Sequence, residues 1–233
     1  VDVSPSLAPM LATIATRARR LFDTDSDPSR IGAHLAKDPE LKKRIRKRPA
    51  LRVMGAFDPF EWAARAVLGQ QVSVAAALTI ASRFVARFGA PIPKKITAPF
   101  SETPMHAFPD AASLANASES EIGELGLTRS RAKTLRGLAV AVADGTVVLD
   151  RAADPEKTKA ALLSLHGIGP WTAEYIAMRA LGWPDAFPAG DLGLRKALLG
   201  ISEAALEKRS VSWRPWRAYA AAHLWMGLSE ETA

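Results

Sequence analysis

Asp191, in FPAGDLGL, is a lone carboxylate immediately before a helical run, and it stands 24 residues after Gly167 of the turn LHGIG. A carboxylate in that position has two readings. It accepts amide hydrogen bonds as an ordinary N-cap, or it stabilises positive charge that develops on a substrate. The turn itself places Gly167 and Gly169 around Ile168, with Pro170 where the first turn of a helix tolerates proline. Two glycines strip side chains from the turn, so backbone N–H groups at the start of the next helix can approach an anion closely, and phosphate suits such a site. The plainer reading is that they only permit a tight helix-to-helix connection. Trp171 and Tyr175 lie four apart on that helix and share a face, either as core or as the wall of a ligand pocket. The pattern is not a dinucleotide fingerprint, because the third glycine is missing and a helix, not a strand, precedes it.

The elements that must hold these residues are helical throughout. Apolar residues recur at three- and four-residue spacing over 6–22 and 60–88, with Gly69 breaking the second run. The same period returns over 110–117, 119–125, 129–143, 155–164, 170–182, 191–199, 202–208 and 214–229. The proline-rich stretch 90–108 reads as an extended surface loop. The pattern predicts an all-α fold, a helical bundle of about ten helices, with a helix, a hairpin and a helix over about 155–182.

Composition restricts the chemistry. Lys and Arg number 31 against 24 Asp and Glu, a net charge of +7 that suits a polyanion such as nucleic acid. Zero cysteines exclude disulfides, a thiol nucleophile, Cys-ligated zinc and iron–sulfur clusters. The four histidines show no metal-binding spacing. No apolar run is long enough to span a bilayer, so a cytoplasmic location without membrane association is expected. Basic residues cluster in LKKRIRKRPALR (41–52) and in LTRSRAKTLRGLA (127–139); each is a phosphate-tracking surface or simply a solvated helix face. Thr128 and Ser130 stand at a helix start, where Thr128 either holds a phosphate or only caps the helix.

Taken together, the glycine hairpin and the Asp resemble the helix-hairpin-helix, Gly-Pro-Asp superfamily of base-excision DNA glycosylases. The blocks FDPFEWAARAVLGQQVSVAAA (57–77), LHGIGPWTAEYIAMRALG (165–182), FPAGDLGLRKAL (187–198) and WRPWRAYAAAHLW (213–225) are similar, in order, to those of its 3-methyladenine glycosylase II branch, the AlkA type. The resemblance implies two subdomains, residues 1–50 together with 184–233 and residues 51–183, with the helix-hairpin-helix motif in the second and an active-site cleft between them. It also implies a monofunctional glycosylase that flips alkylated purines such as 3-methyladenine and 7-methylguanine out of damaged double-stranded DNA and hydrolyses them off, acting as a monomer on the bacterial nucleoid. By motif position the catalytic carboxylate is Asp191 and the base pocket is lined by Trp171, Tyr175 and Trp225, whose ring faces suit a cationic base. DNA contacts fall on Gln70, Gln71, Thr128, Gly167, Gly169 and Thr172, with Gln71 where the family places an aliphatic wedge. The carbonyls of Leu163, Leu165 and Gly167 occupy the family's site for a monovalent cation, Na⁺ or K⁺, bound together with DNA; no other cofactor is implied.

Departures from the family pattern are informative. Bifunctional relatives carry a lysine where this chain has Trp171, so no lyase activity is expected. The family's N-terminal α/β domain is expected to be missing, which would make the chain a catalytic fragment, as in a fusion with an alkylation-response protein. A non-catalytic DNA-gripping module and a glycosylase for oxidised or deaminated purines are the competing functions. Asp191 favours chemistry over mere gripping, because a carboxylate facing DNA repels phosphate.

Overall fold

A computed structural model of the chain describes residue 3 and residues 5–93 and 106–231. A 3₁₀ turn Pro5–Met10 leads into α1 (Leu11–Leu21), followed by α2 (Pro28–Leu35), α3 (Pro39–Lys47), α4 (Pro59–Leu68) and α5 (Val74–Phe88). Then come α6 (Ala111–Ala115), α7 (Glu119–Gly123), α8 (Arg129–Ala143), α9 (Pro155–Leu163) and α10 (Pro170–Ile176), which continues as a π-helix, Ala177–Leu181. The chain ends in α11 (Leu192–Lys196), α12 (Glu203–Ser210), a 3₁₀ turn Val211–Trp213 and α13 (Arg217–Glu231). Among the described residues no strand forms, only an isolated bridge between Pro91 and His106; most of the expected loop between them lies outside those residues.

Asp-Pro pairs open four of these helices, at Asp27, Asp38, Asp58 and Asp154. In each, the carboxylate accepts backbone N–H groups of the first turn while proline occupies the position whose own N–H has no intrahelical partner. Helices α2 and α3 fall outside the periodic runs.

The chain divides into two compact units, Val1–Thr16 with Asp58–Ile168, and Arg17–Phe57 with Gly169–Ala233. This differs from the expected division after residues 50 and 183. Residues 169–183 belong with the second unit because Glu174 accepts the Phe187 N–H at 2.9 Å and Trp171 donates to Asp191 at 2.9 Å, both toward the chain that follows.

In the first unit α8 is the central helix. Ala132, Leu135 and Leu138 are fully buried there, α8 packs on α4, α6 and α7, and Arg136 Nε donates to the Ala117 carbonyl at 3.0 Å. In the second unit α13 packs on α3 and α11. Asp38, the cap of α3, receives two hydrogen bonds from Arg209 and one from Trp213, while buried Asp185 receives Arg217 Nε at 2.9 Å.

Candidate active site and hairpin

The site is built on the short segment 187–196. Phe187 is buried edge-on against Trp213, the Asp191 N–H donates to the Pro188 carbonyl at 2.9 Å, and the chain then enters α11 with Asp191 as its N-cap. The N-cap reading of this residue holds in the structure. Oδ1 accepts the Leu194 N–H at 2.9 Å and the indole Nε1–H of Trp225 at 2.9 Å; Oδ2 accepts Nε1–H of Trp171, also at 2.9 Å. Three donors clamp a half-buried carboxylate, and hydrogen bonds to a charged acceptor contribute about 1.5–3 kcal/mol each where solvent does not compete.

The rings thus do something that pattern alone does not reveal: two of the three expected pocket residues orient the carboxylate. Trp171 and Tyr175 stack at 5.0 Å and 11°, and Tyr175 meets Trp225 edge-on at 6.4 Å. A base sandwiched between Trp171 and Tyr175 would need roughly 7 Å, twice the optimal carbon–carbon contact. A cavity of about 610 Å³ lies beside Trp225, and of the three rings only Trp225 lines it; Phe22, Leu51, Met54, Arg179 and Met226 supply other walls. Trp171 and Tyr175, the other two rings of the expected base pocket, stack on each other beside the carboxylate.

Gly193 was not singled out from sequence. A Cβ there would lie 3.0 Å from Asp191 Oδ1 and 3.4 Å from Trp225 Cδ1, so the bare α-carbon lets carboxylate and indole meet. A glycine inside a helical run is the signal that could have found it.

The hairpin shows different reasons for its two glycines. Gly167 has φ +77°, and a Cβ there would collide with Thr134 Oγ1, so packing against α8 requires glycine at this point. Gly169 has extended backbone (φ −90°) and nothing within 4 Å of a built Cβ. Neither conformation nor packing against the described residues demands glycine at 169. Gln70, expected on DNA, donates Nε2–H to the Gly167 carbonyl at 3.1 Å, and Ser130 Oγ meets His166 Nε2 at 3.1 Å.

Gln71 is exposed at the α4–α5 turn with φ +56°, a left-handed conformation that costs a glutamine about 1–2 kcal/mol. Its turn is fastened on both flanks, by Arg131 donating to the Leu68 carbonyl and by Gln70 on the hairpin. Thr128 is exposed and caps α8 through the Arg131 N–H at 3.3 Å. Thr172 departs from expectation: at 5% exposure its side chain is closed off from any DNA surface.

The three carbonyls expected to hold a cation are partly engaged. Leu165 O accepts the Ile168 N–H at 3.3 Å and Gly167 O accepts Gln70, leaving each a second lone pair. Neutral carbonyls without a carboxylate suit a monovalent rather than a divalent ion. Among the described residues no group of His, Cys, Asp or Glu could hold a metal ion, and no helix is long and apolar enough to cross a membrane.

A helix-hairpin-helix turn followed by a clamped Asp defines a family, and comparison with known proteins agrees. Residues 64–207 match the model of the HhH-GPD superfamily base excision DNA repair proteins, and the chain belongs to that family. Residues 1–58 match the AlkA N-terminal domain, which corrects the expectation that this domain is missing: α1 to α3 and the loop after them match its model. A Mycobacterium tuberculosis protein, the probable bifunctional transcriptional activator/DNA repair enzyme AlkA, is 45% identical over 222 residues, 94% of this chain and 43% of that protein. The chain therefore spans less than half the length of that relative. The DNA-3-methyladenine glycosylase 2 of Escherichia coli is 32% identical over 228 residues, 97% of this chain and 75% of that protein. The solved 3-methyladenine DNA-glycosylase of Archaeoglobus fulgidus shares the fold with a TM-score of 0.75 at 22% identity, over 94% of this chain and 75% of that one.

Proposed function

We propose that this chain is a monofunctional DNA glycosylase of base excision repair, removing alkylated purines such as 3-methyladenine and 7-methylguanine from damaged duplex DNA by hydrolysis. The observation that carries the reading is the Asp191 carboxylate held by two indole N–H groups and a backbone N–H at a helix start, with a cavity lined by one of those indoles, Trp225. The names of the curated relatives point the same way.

As the C1′–N9 bond lengthens, positive charge builds on the deoxyribose and its electron pair moves onto the base. The fixed carboxylate stabilises that oxocarbenium-like state and orients the water that adds to C1′, without reorganising during the step. Alkylated purines already carry positive charge and leave as neutral molecules, so no dedicated general acid is needed. Position 171 presents an indole in place of an amine, so no Schiff base forms with the sugar and the strand stays intact. Base extrusion leaves a gap in the duplex that Gln71 fills, hydrogen-bonding the orphaned partner base. The amides at Gly169 and beyond receive a phosphate; the carbonyls of Leu163, Leu165 and Gly167 would hold Na⁺ or K⁺ between hairpin and backbone, a binding role only. The same reading has the chain acting as a monomer on chromosomal DNA in the cytoplasm.

Incubation with methylated duplex DNA and chromatography of the supernatant tests this. Release of 3-methyladenine and 7-methylguanine, with strand breaks appearing only after alkali, is the expected result. DNA binding without base release would reduce the chain to a clamp, and nicks without alkali would contradict the monofunctional assignment.

A further inference from the structure

We propose that Arg179 sets the balance between neutral and cationic purines, by holding a fixed positive charge at the ring face of Trp225 against which the extruded base rests. This rests on the glycosylase reading above.

Trp225 has two occupied sides. Its indole N–H edge donates to Asp191, while the Arg179 guanidinium carbon lies 6.0 Å from its ring centroid and 5.6 Å from that of Tyr175. Arg179 also lines the cavity beside Trp225, and it is fixed there by Nη1 donating to the Met54 carbonyl at 2.8 Å. It sits in the π-helical segment Ala177–Leu181, a departure from α-helical register of a kind concentrated at functional sites. Trp225 both donates to Asp191 and lines this cavity, so a base that enters it from a C1′ held at Asp191 would meet the guanidinium.

The sign of the charge then matters in opposite ways for two kinds of base. When the C1′–N9 bond of a neutral purine breaks, its electron pair makes the departing base an anion until solvent protonates it, and water supplies oxygen to C1′ while losing a proton to Asp191 or solvent. A nearby guanidinium stabilises that leaving group. A cationic alkylpurine takes the same electron pair and leaves neutral, so Arg179 gives its departure nothing and opposes its entry. The cation–π attraction of Tyr175 and Trp225 is likewise already directed at Arg179. Arg179 therefore raises the rate for neutral bases relative to cationic ones.

The test is single-turnover release from duplexes carrying one hypoxanthine or one 7-methylguanine, by the parent chain, R179Q and R179K. A charge acting across about 6 Å at a surface-like dielectric predicts that R179Q lowers the hypoxanthine to 7-methylguanine rate ratio by roughly tenfold or more, whereas R179K, which keeps the charge, stays within about threefold of the parent. Because the readout is a ratio on one preparation, partial unfolding of a variant cancels. Equal loss on both substrates in R179Q, an unchanged ratio, or an R179K ratio as low as that of R179Q would overturn the assignment and leave Arg179 as a tether for Met54. A parent chain that releases neither base would remove the functional reading itself, a distinguishable failure.

Discussion

Replacing Gly193 by alanine isolates the geometry of the carboxylate from every change of charge or hydrogen-bonding group. The added methyl would lie 3.0 Å from Asp191 Oδ1 and 3.4 Å from both Trp225 Cδ1 and Leu228 Cδ1. A comfortable carbon–oxygen contact needs several tenths of an ångström more, and with Trp225 and Leu228 also in contact the oxygen is what yields. Oδ1 holds two hydrogen bonds of 2.9 Å, to Leu194 N–H and Trp225 Nε1–H, and a displacement of about 0.4 Å stretches both. Since about 1 Å of misplacement costs on the order of a hundredfold in rate, the substitution is expected to slow base release roughly tenfold. Stability should move the other way or hardly at all, because alanine is favoured over glycine in a helix by up to about 1 kcal/mol, offset by the local crowding. The assay is single-turnover excision of 7-methylguanine, with thermal melting and affinity for an abasic duplex measured alongside. A G193A chain that melts like the parent and excises within about twofold of its rate would refute the claim that Asp191 must sit where the indoles hold it.

Two further substitutions probe other parts of the account. Gln71→Gly relieves the left-handed strain and should raise stability by up to about 1 kcal/mol in thermal melting while slowing base release, since the gap-filling side chain is gone; a loss of stability would show that Gln71 is held for packing and not for use. His223, 5% exposed, has its pKa pushed down to about 4 by burial and by the charges of Arg48 and Arg44. The unfolded chain binds that proton near pH 6.5 and the folded chain only near 4, so stability falls as pH drops through this window, by about 3 kcal/mol in all, and above pH 6.5 the group contributes nothing. Denaturant melts between pH 7 and 4 should show this slope flattened in His223→Gln; an unchanged slope would assign the acid sensitivity elsewhere.

What was legible in the sequence was what local chemistry writes. Asp191 stood out because an N-cap carboxylate at a set distance from a glycine turn is a short-range pattern, and helical periods marked the long helices. The functions of the tryptophans were not legible, because Trp171 and Trp225 reach Asp191 from 20 and 34 residues away and nothing in their own neighbourhoods records it. Gly167 stood out as part of a tight turn, but the Thr134 side chain that also forbids a Cβ there comes from α8, far up the chain. The hydrogen bond from Gln70 to the Gly167 carbonyl, across 97 residues, had no local signal either. The π-helical turn that carries Arg179 has no signal in the sequence of residues 177–181.

The most direct test of the central claim is Asp191→Asn, which keeps one oxygen as the N-cap acceptor and removes the negative charge together with the acceptor that meets the Trp171 indole. Single-turnover release of 7-methylguanine should fall by at least about a thousandfold, with affinity for undamaged duplex equal or tighter now that one charge no longer repels phosphate. An Asp191→Asn chain that releases the base at the parent rate would contradict the account at its root.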